Sequence, residues 1–144
     1  AWTRELIGKM RTRVPGVVLR TTMIVGHPGE GKRDFNELLE FVREARFERL
    51  GAFKYSEEEG TYGAENFKDT ISSRVKQERL DELMTLQSEI SLAYNQSRVG
   101  SEIDVIVDDF TDGVFVCRSL VSTVSKGDAM MPRGSVTAKP VRFA

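Results

Sequence analysis

A glycine-bearing turn in the first third of the chain has the spacing of a phosphate-binding loop. Residues 26–32 place a glycine, four further residues and then Gly-Lys between a β-rich stretch and a helical one. Such a loop cradles phosphate with its backbone N–H groups and its lysine. The next residue is Arg33, however, where a serine or threonine hydroxyl would have to hold magnesium, and Pro28 lacks a backbone donor. A phosphate-binding module therefore stays open only as a lesser alternative.

Three adjacent carboxylates, Glu57, Glu58 and Glu59, form the second group that could do chemistry. They follow directly on a short aromatic β-rich run that ends at Tyr55. In α/β proteins, the loops at the carboxyl ends of parallel strands bind ligands. A run of like charges in a loop is more often simply solvated. The sequence leaves both interpretations open: a solvated loop, or a negatively charged surface that meets substrate.

The elements around these two groups alternate between helix and strand. We predict a helix over residues 3–13, a buried parallel strand over 17–25, a helix over 33–46 and a second strand over 49–55. This order predicts parallel strands joined by right-handed crossovers. Two such strands do not form a stable sheet alone. We therefore expect further strands upstream of this chain, which would make it a fragment of an α/β protein.

The second half of the chain begins with one long helix, predicted over residues 72–95 and capped by Ser72 or Ser73. One stripe of this helix is apolar and predicts packing, while the rest is charged and predicts a solvated outer face. The apolar stripe consists of Leu80, Leu83, Leu86, Ile90 and Ala93, and the charged positions are Arg74, Lys76, Glu78, Arg79 and Glu82.

After Gly100 the apolar period changes from that of a helix to that of a strand. Ile103, Val105 and Val107 alternate with the intervening residues, and Asp112-Gly113 is a hairpin turn signal before a returning strand. We predict the start of a small antiparallel β domain. Cys117, in the returning strand, is expected to be a small buried apolar residue rather than a reactive thiol.

Composition limits the function without choosing it. The net charge is −1 with 30% charged residues, so the chain has no overall positive field for DNA or RNA. It has no apolar run of membrane-spanning length and no signal peptide, so we expect a soluble, cytoplasmic protein with no membrane partner. The single cysteine excludes an internal disulfide and an all-cysteine metal site within this chain.

Three motifs in this order resemble the radical S-adenosylmethionine methylthiotransferases. They lie at residues 19–30 with Phe35, at residues 51–61 and at residues 76–91, and the resemblance covers residues 3–119. It is strongest to the branch that modifies an aspartate of a ribosomal protein. The transfer-RNA branch is the alternative, but it usually carries Arg-Pro where this chain has Glu58-Glu59. Acidic residues suit a basic protein and repel RNA phosphate.

The resemblance implies a domain organisation. Residues 1–70 would be the C-terminal part of a radical-SAM TIM-type barrel, 71–97 a connecting helix and 98–119 the start of a TRAM β domain. Residues 120–144 are rich in Ser, Thr, Lys and Arg and cease to resemble the family. We leave them unassigned, as an aberrant or divergent tail.

The resemblance also implies the activity and its participants. The parent enzyme would methylthiolate the β-carbon of an aspartate in a small-subunit ribosomal protein, using S-adenosylmethionine and two 4Fe-4S clusters. The CxxxCxxC triad that holds the radical-generating cluster is absent from this chain, so the fragment alone should be inactive. Ile24 and Gly26 would contact the cofactor, and Glu58 and Glu59 the substrate protein. RNA contact would come through the TRAM domain, and no specific DNA contact is expected.

Overall fold

The computed structural model describes residues 2–102, 104–111, 114–119 and 130–132. The chain divides into two units, Ala1–Val99 and Gly100–Ala144. The first unit contains α1 (Trp2–Arg13), β1 (Arg20–Val25), α2 (Lys32–Ala45), β2 (Arg49–Lys54), α3 (Tyr62–Asn66) and α4 (Ser73–Ser97), and the second contains β3 (Val105–Thr111), β4 (Val114–Ser119) and β5 (Met130–Pro132).

The two strands of the first unit pair in parallel, with Arg20 opposite Arg49 and Val25 opposite Lys54. Helix α2 makes the connection between them, as the helix–strand order predicts. β1 starts three residues later than predicted, and just before it the Leu19 N–H donates to the Glu48 carboxylate (2.8 Å). The α/β class and the parallel pairing predicted from the sequence are confirmed.

Alternation along the two strands gives the sheet one covered and one exposed face. Val25 and Leu50 are buried on the covered face, which packs against helices. On the opposite face, Ile24 lies in register with Phe53, and these two side chains are 58% and 63% exposed. We call this second surface, with Thr22 and Gly51 behind the Ile24–Phe53 pair, the open face. The prediction of a strand buried in a sheet thus holds for only one side of β1.

The core lies between the covered face and two helices. From α2, Phe35, Leu39 and Val42 recur at helical spacing and are all buried, and from α4 Leu83 and Ile90 join them. Val25, Val42 and Leu83 are the largest side chains with no appreciable exposure. A single apolar cluster therefore joins β1, β2, α2 and α4.

Helix termini are fixed by local signals. The Ser72 hydroxyl accepts the Val75 N–H at the start of α4, as predicted. At the start of α2 the Asp34 carboxylate reaches back to the Gly31 N–H (2.8 Å), which satisfies a donor that the helix cannot. α2 ends at Ala45 and is followed by the capping residue Arg46, which adopts a left-handed conformation with φ 46°. These caps place both ends of α2 within a residue of the predicted bounds.

The second unit is antiparallel, as predicted. β4 pairs with β3 on one side and with β5 on the other. A register shift between Val107 and Asp109 interrupts the β3–β4 ladder, and Ile106 and Val107 are both substantially exposed. The pairing is regular from Val105 to Val107, and the alternation predicted from the sequence is interrupted only beyond Val107, at this bulge. Cys117 pairs with Val107, but its predicted burial lies outside what is described.

Parts of the second-unit predictions concern residues beyond the described ranges. Ile103, the Asp112-Gly113 turn and most of residues 120–144 belong to this group. Within the unassigned tail, β5 is described, and it adds a third strand that the sequence did not suggest. Among the described residues, no helix is long and apolar enough to cross a membrane.

Candidate functional site

The turn after β1 is organised by one carboxylate. The Gly26 N–H donates to Oε1 of Glu30 (3.0 Å), and the same oxygen accepts Nη1 of Arg79 (2.6 Å). Arg79 also donates to the Glu30 carbonyl (3.1 Å), and both side chains of this ion pair are almost wholly buried. The turn is thereby tied to α4 through a charge-assisted pair shielded from water.

This arrangement disfavours the phosphate-binding alternative. A phosphate loop offers its N–H groups to a ligand, but here the Gly26 N–H serves Glu30 and the Gly31 N–H serves Asp34. Arg33, at the position that needs a hydroxyl, pairs with Glu37 on the surface. An anion would have to displace two of the chain's own carboxylates from these donors.

Lys76 crosses the same turn. The residue is only 6% exposed, and its aliphatic chain lies against Gly26, where an added Cβ would meet Cγ of Lys76 at 2.5 Å. Gly26 has φ +76°, which side-chain-bearing residues rarely adopt. Both its conformation and the packing of Lys76 therefore require glycine at this position.

The ammonium group of Lys76 is held by the segment after β2. Nζ donates to the Tyr55 carbonyl (3.1 Å) and to the Asp69 carboxylate, and it lies 5.1 Å from the centre of the Tyr55 ring. The Lys76 hydrogen bond holds the pKa of Asp69 below its ordinary value; partial burial opposes this effect, and the Ile71 N–H adds to it. Asp69 is thus a carboxylate at neutral pH, paired with a buried lysine.

An aromatic group flanks these contacts. The His27 ring lies edge-on to Tyr55 (centroids 5.0 Å apart) and to Phe67 (5.7 Å). Nδ1 of His27 donates to the Pro28 carbonyl (2.9 Å), which fixes the orientation of the ring. An added Cβ on Gly63 would lie 3.2 Å from the Tyr55 hydroxyl. The two turns therefore meet through edge-on ring contacts and a close approach of Gly63.

The predicted cofactor residues fall in different environments. Ile24 projects from the open face at the carboxyl end of β1, beside Phe53. The two form an apolar surface of the kind on which a flat heterocycle packs. At Gly26, in contrast, the space above Cα is filled by Lys76 and the N–H is taken by Glu30. Ile24 is therefore accessible to a ligand, so its predicted cofactor contact stays a prediction, while the glycine at position 26 has a structural reason of its own.

The predicted substrate residues lie on the surface. Glu58 and Glu59 are exposed, and neither has an ion-pair partner among the described side chains. The Thr61 hydroxyl and N–H both hydrogen-bond to the Glu58 carbonyl (2.7 and 3.2 Å), and Thr61 caps α3. The backbone that carries the two carboxylates is therefore a defined turn, with its charges directed to solvent.

Two cationic side chains of α4 are buried, contrary to the prediction from the sequence. That prediction assigned Lys76 and Arg79 to a solvated face, and this is wrong: both side chains are nearly inaccessible. Their spacing carried the signal, because residues 76, 79, 83, 87 and 90 follow one another at intervals of three and four and so share one face. Gln87 on this face is also buried, where it donates to the Phe47 carbonyl (3.0 Å). The prediction placed these residues on the solvated face because they are charged, although their positions along the helix match the buried face.

The described residues contain no group of three or more His, Cys, Asp or Glu side chains arranged to hold a metal ion.

Comparison with known proteins gives one consistent result. The chain is 56% identical over 119 residues to the ribosomal protein uS12 methylthiotransferase RimO of Porphyromonas gingivalis W83, a match of 83% of this chain and 27% of that protein. The RimO of Phocaeicola vulgatus is 58% identical over 108 residues, which is 75% of this chain and 25% of that protein. For the RimO of Bacteroides thetaiotaomicron the identity is 51% over 117 residues, 81% of this chain and 27% of that protein.

No protein-family model matches the chain. The chain spans about a quarter of the length of these curated relatives. The predicted resemblance to methylthiotransferases of the ribosomal-protein branch is confirmed.

Proposed function

We propose that this chain, a segment similar to RimO, is part of an enzyme that transfers a methylthio group to ribosomal protein uS12. The observation that carries the proposal is the identity of more than half the residues with RimO over 119 positions. The motifs at residues 19–30, 51–61 and 76–91 all lie within the first unit, where they form β1, β2, α4 and the turns between them. The family resemblance implies that the modified atom is the β-carbon of an aspartate.

We further propose that the first unit is the end of a radical-SAM barrel. A parallel sheet is normally covered on both faces, and the open face, with Ile24 and Phe53 exposed, would be its inward side in the parent. Residues 71–97 would then be a connecting helix and 98–119 the start of a TRAM domain, through which RNA contact would occur. The antiparallel pairing in the second unit is compatible with that last assignment.

S-adenosylmethionine, when bound together with two 4Fe-4S clusters, would supply the radical and the methyl group. In this chain Ile24 would pack on the adenine, and Gly26 would hold the turn beside it. The chain contains one cysteine, Cys117, so the cluster ligands would come from elsewhere in the parent. We expect no methylthiolation from the 144-residue chain alone.

The test is to express the full-length protein that contains this chain, reconstitute its clusters and incubate it with uS12 and S-adenosylmethionine. We expect one methylthio group on an aspartate of uS12, located by peptide mass spectrometry. A full-length protein that leaves uS12 unmodified but methylthiolates transfer RNA would overturn the assignment in favour of the transfer-RNA branch.

Glu58 and Glu59 are proposed to attract the basic substrate protein. Exposed charge pairs contribute up to about 1 kcal/mol each and act mainly on the encounter rate. In the full-length enzyme, replacing both with glutamine should slow association with uS12 roughly twofold to tenfold at low salt, and the difference should shrink as salt is added. Stopped-flow or surface-binding kinetics over a salt series would measure it.

The matched control is Glu82→Gln, which removes one exposed carboxylate from α4 and should leave the association rate unchanged. Equal low-salt rates for the wild type and the Glu58→Gln/Glu59→Gln variant would mean that these carboxylates form only a solvated turn.

A further inference from the structure

We propose that Lys76 is a positioning residue that joins the proposed cofactor turn to the proposed substrate-binding segment. The cofactor turn is residues 26–30, and the substrate segment is residues 55–72, which carries Glu58 and Glu59. The inference rests on the proposed function for the meaning of these two parts. The contacts of Lys76 stand independently of it.

The aliphatic part of Lys76 contacts the cofactor turn. A Cβ at Gly26 would lie 2.5 Å from Cγ of Lys76 and 3.2 Å from both its Cβ and its Cδ. The side chain therefore runs across the face of Gly26 along most of its length. Movement of the turn toward α4 is blocked by the lysine chain, and the Arg79–Glu30 pair opposes movement away from the helix.

The ammonium group of Lys76 contacts the substrate segment at both of its ends. Tyr55 is the first residue of the segment and supplies its carbonyl oxygen, while Asp69 near the end supplies a carboxylate. One side chain thus closes the base of the 15-residue stretch from Tyr55 to Asp69, which includes the Glu58–Glu59 turn and α3. A single ammonium group can make both contacts, because it has three N–H donors.

The burial of Lys76 argues that its charge has a role beyond packing. Lysine is almost never buried to this degree unless paired, and an apolar residue of similar volume is often as stabilising as a buried ion pair. A methionine would fill the space over Gly26 equally well, yet it could not hold Tyr55 and Asp69. The ammonium group therefore fixes the distance between the substrate segment and the cofactor turn, which the lysine chain contacts.

The experiment compares the Lys76→Met variant of the full-length enzyme with the wild type, measuring uS12 methylthiolation and S-adenosylmethionine cleavage side by side. Misplacing a bound substrate by about 1 Å costs on the order of 100-fold, so methylthiolation should fall roughly 10- to 100-fold. Cleavage of S-adenosylmethionine should fall less, because the methionine keeps the contact with Gly26. The number of S-adenosylmethionine molecules cleaved per methylthio group transferred should therefore rise.

A second readout does not depend on activity. Amide hydrogen exchange in residues 55–72 should become faster in Lys76→Met, while exchange in the core strands β1 and β2 stays slow. Arg74→Met is the matched control, because Arg74 is a cation on the same helix that pairs with Glu78 at the surface. That variant should change neither the exchange nor the ratio of cleavage to transfer.

Asp69→Asn provides a milder variant, which keeps the Tyr55 contact and removes only the charge partner. If Lys76→Met fails to fold, Asp69→Asn decides: faster exchange in residues 55–72 with a higher cleavage-to-transfer ratio supports the proposal. Equal losses of both activities, or unchanged exchange, overturn it. A wild-type enzyme without uS12 methylthiolation would contradict the proposed function instead, and the exchange measurement would still decide on Lys76.

Discussion

Replacing Leu83 with alanine should lower the free energy of unfolding by about 2–5 kcal/mol, the cost of an alanine substitution at a fully buried leucine. Leu83 has 0% exposure and belongs to the single apolar cluster that joins α4 to both strands and α2. Its removal leaves a cavity at the centre of this cluster, where neighbours on four different elements would have to move together to fill it. Urea unfolding followed by circular dichroism would measure the loss.

The control for this prediction lies on the same helix. Leu92 is 56% exposed, so Leu92→Ala removes the same atoms from a position that already contacts water and should change stability by no more than about 0.5 kcal/mol. Similar shifts for the two variants would show that α4 does not pack through the face that contains Leu83.

Replacing Gly26 with alanine should destabilise the chain by about 2–5 kcal/mol, the sum of two costs. An L-residue in the left-handed region loses about 1–2 kcal/mol, and forcing a methyl group into filled space costs a further 1–3 kcal/mol. The methyl would lie 2.5 Å from Cγ of Lys76. This atom cannot swing away easily, because the lysine is buried and its ammonium group is held.

Gly29→Ala separates the two costs. Gly29 lies in the same turn and has φ +89°, but an added Cβ there meets nothing within 4 Å. The Gly29→Ala variant should therefore lose only the about 1–2 kcal/mol that the left-handed conformation costs. The difference between the two variants, measured by urea unfolding, isolates the collision with Lys76. Equal losses would mean that the lysine chain adapts freely and does not fix the turn.

The fold of the first unit was predictable because its signals are local. The β-rich runs, the Ser72 cap and the apolar spacing of α2 each act over a few residues, and together they predicted the order of elements and the parallel pairing. The register shift between Val107 and Asp109 in the β3–β4 ladder was not predictable in this way. A bulge depends on how the partner strand aligns, which the alternation within one strand does not contain.

The candidate site was predictable only in part, for the same physical reason. The glycine turn and the carboxylates stood out by type and by their position at strand ends, and Ile24 was singled out only through the family resemblance. The spacing of Lys76 and Arg79 along α4 indicated the buried face, but their partners Asp69 and Glu30 lie 7 and 49 residues away in sequence. Because charged side chains are solvated by default, the spacing alone did not outweigh their charge, and the ion pairs that make their burial possible are not encoded locally.

The two-sided sheet of the first unit has a consequence for genetic variation. Along β1, Met23 and Val25 face the core, whereas Thr22 and Ile24 face the open side. A screen that scores how much protein accumulates in cells would respond to the first pair. If the open face contacts the cofactor in the parent enzyme, as we propose, a screen that scores the modified product per molecule would respond to the second pair. In a saturation library, neighbouring positions of this strand should therefore sort into opposite phenotypic classes.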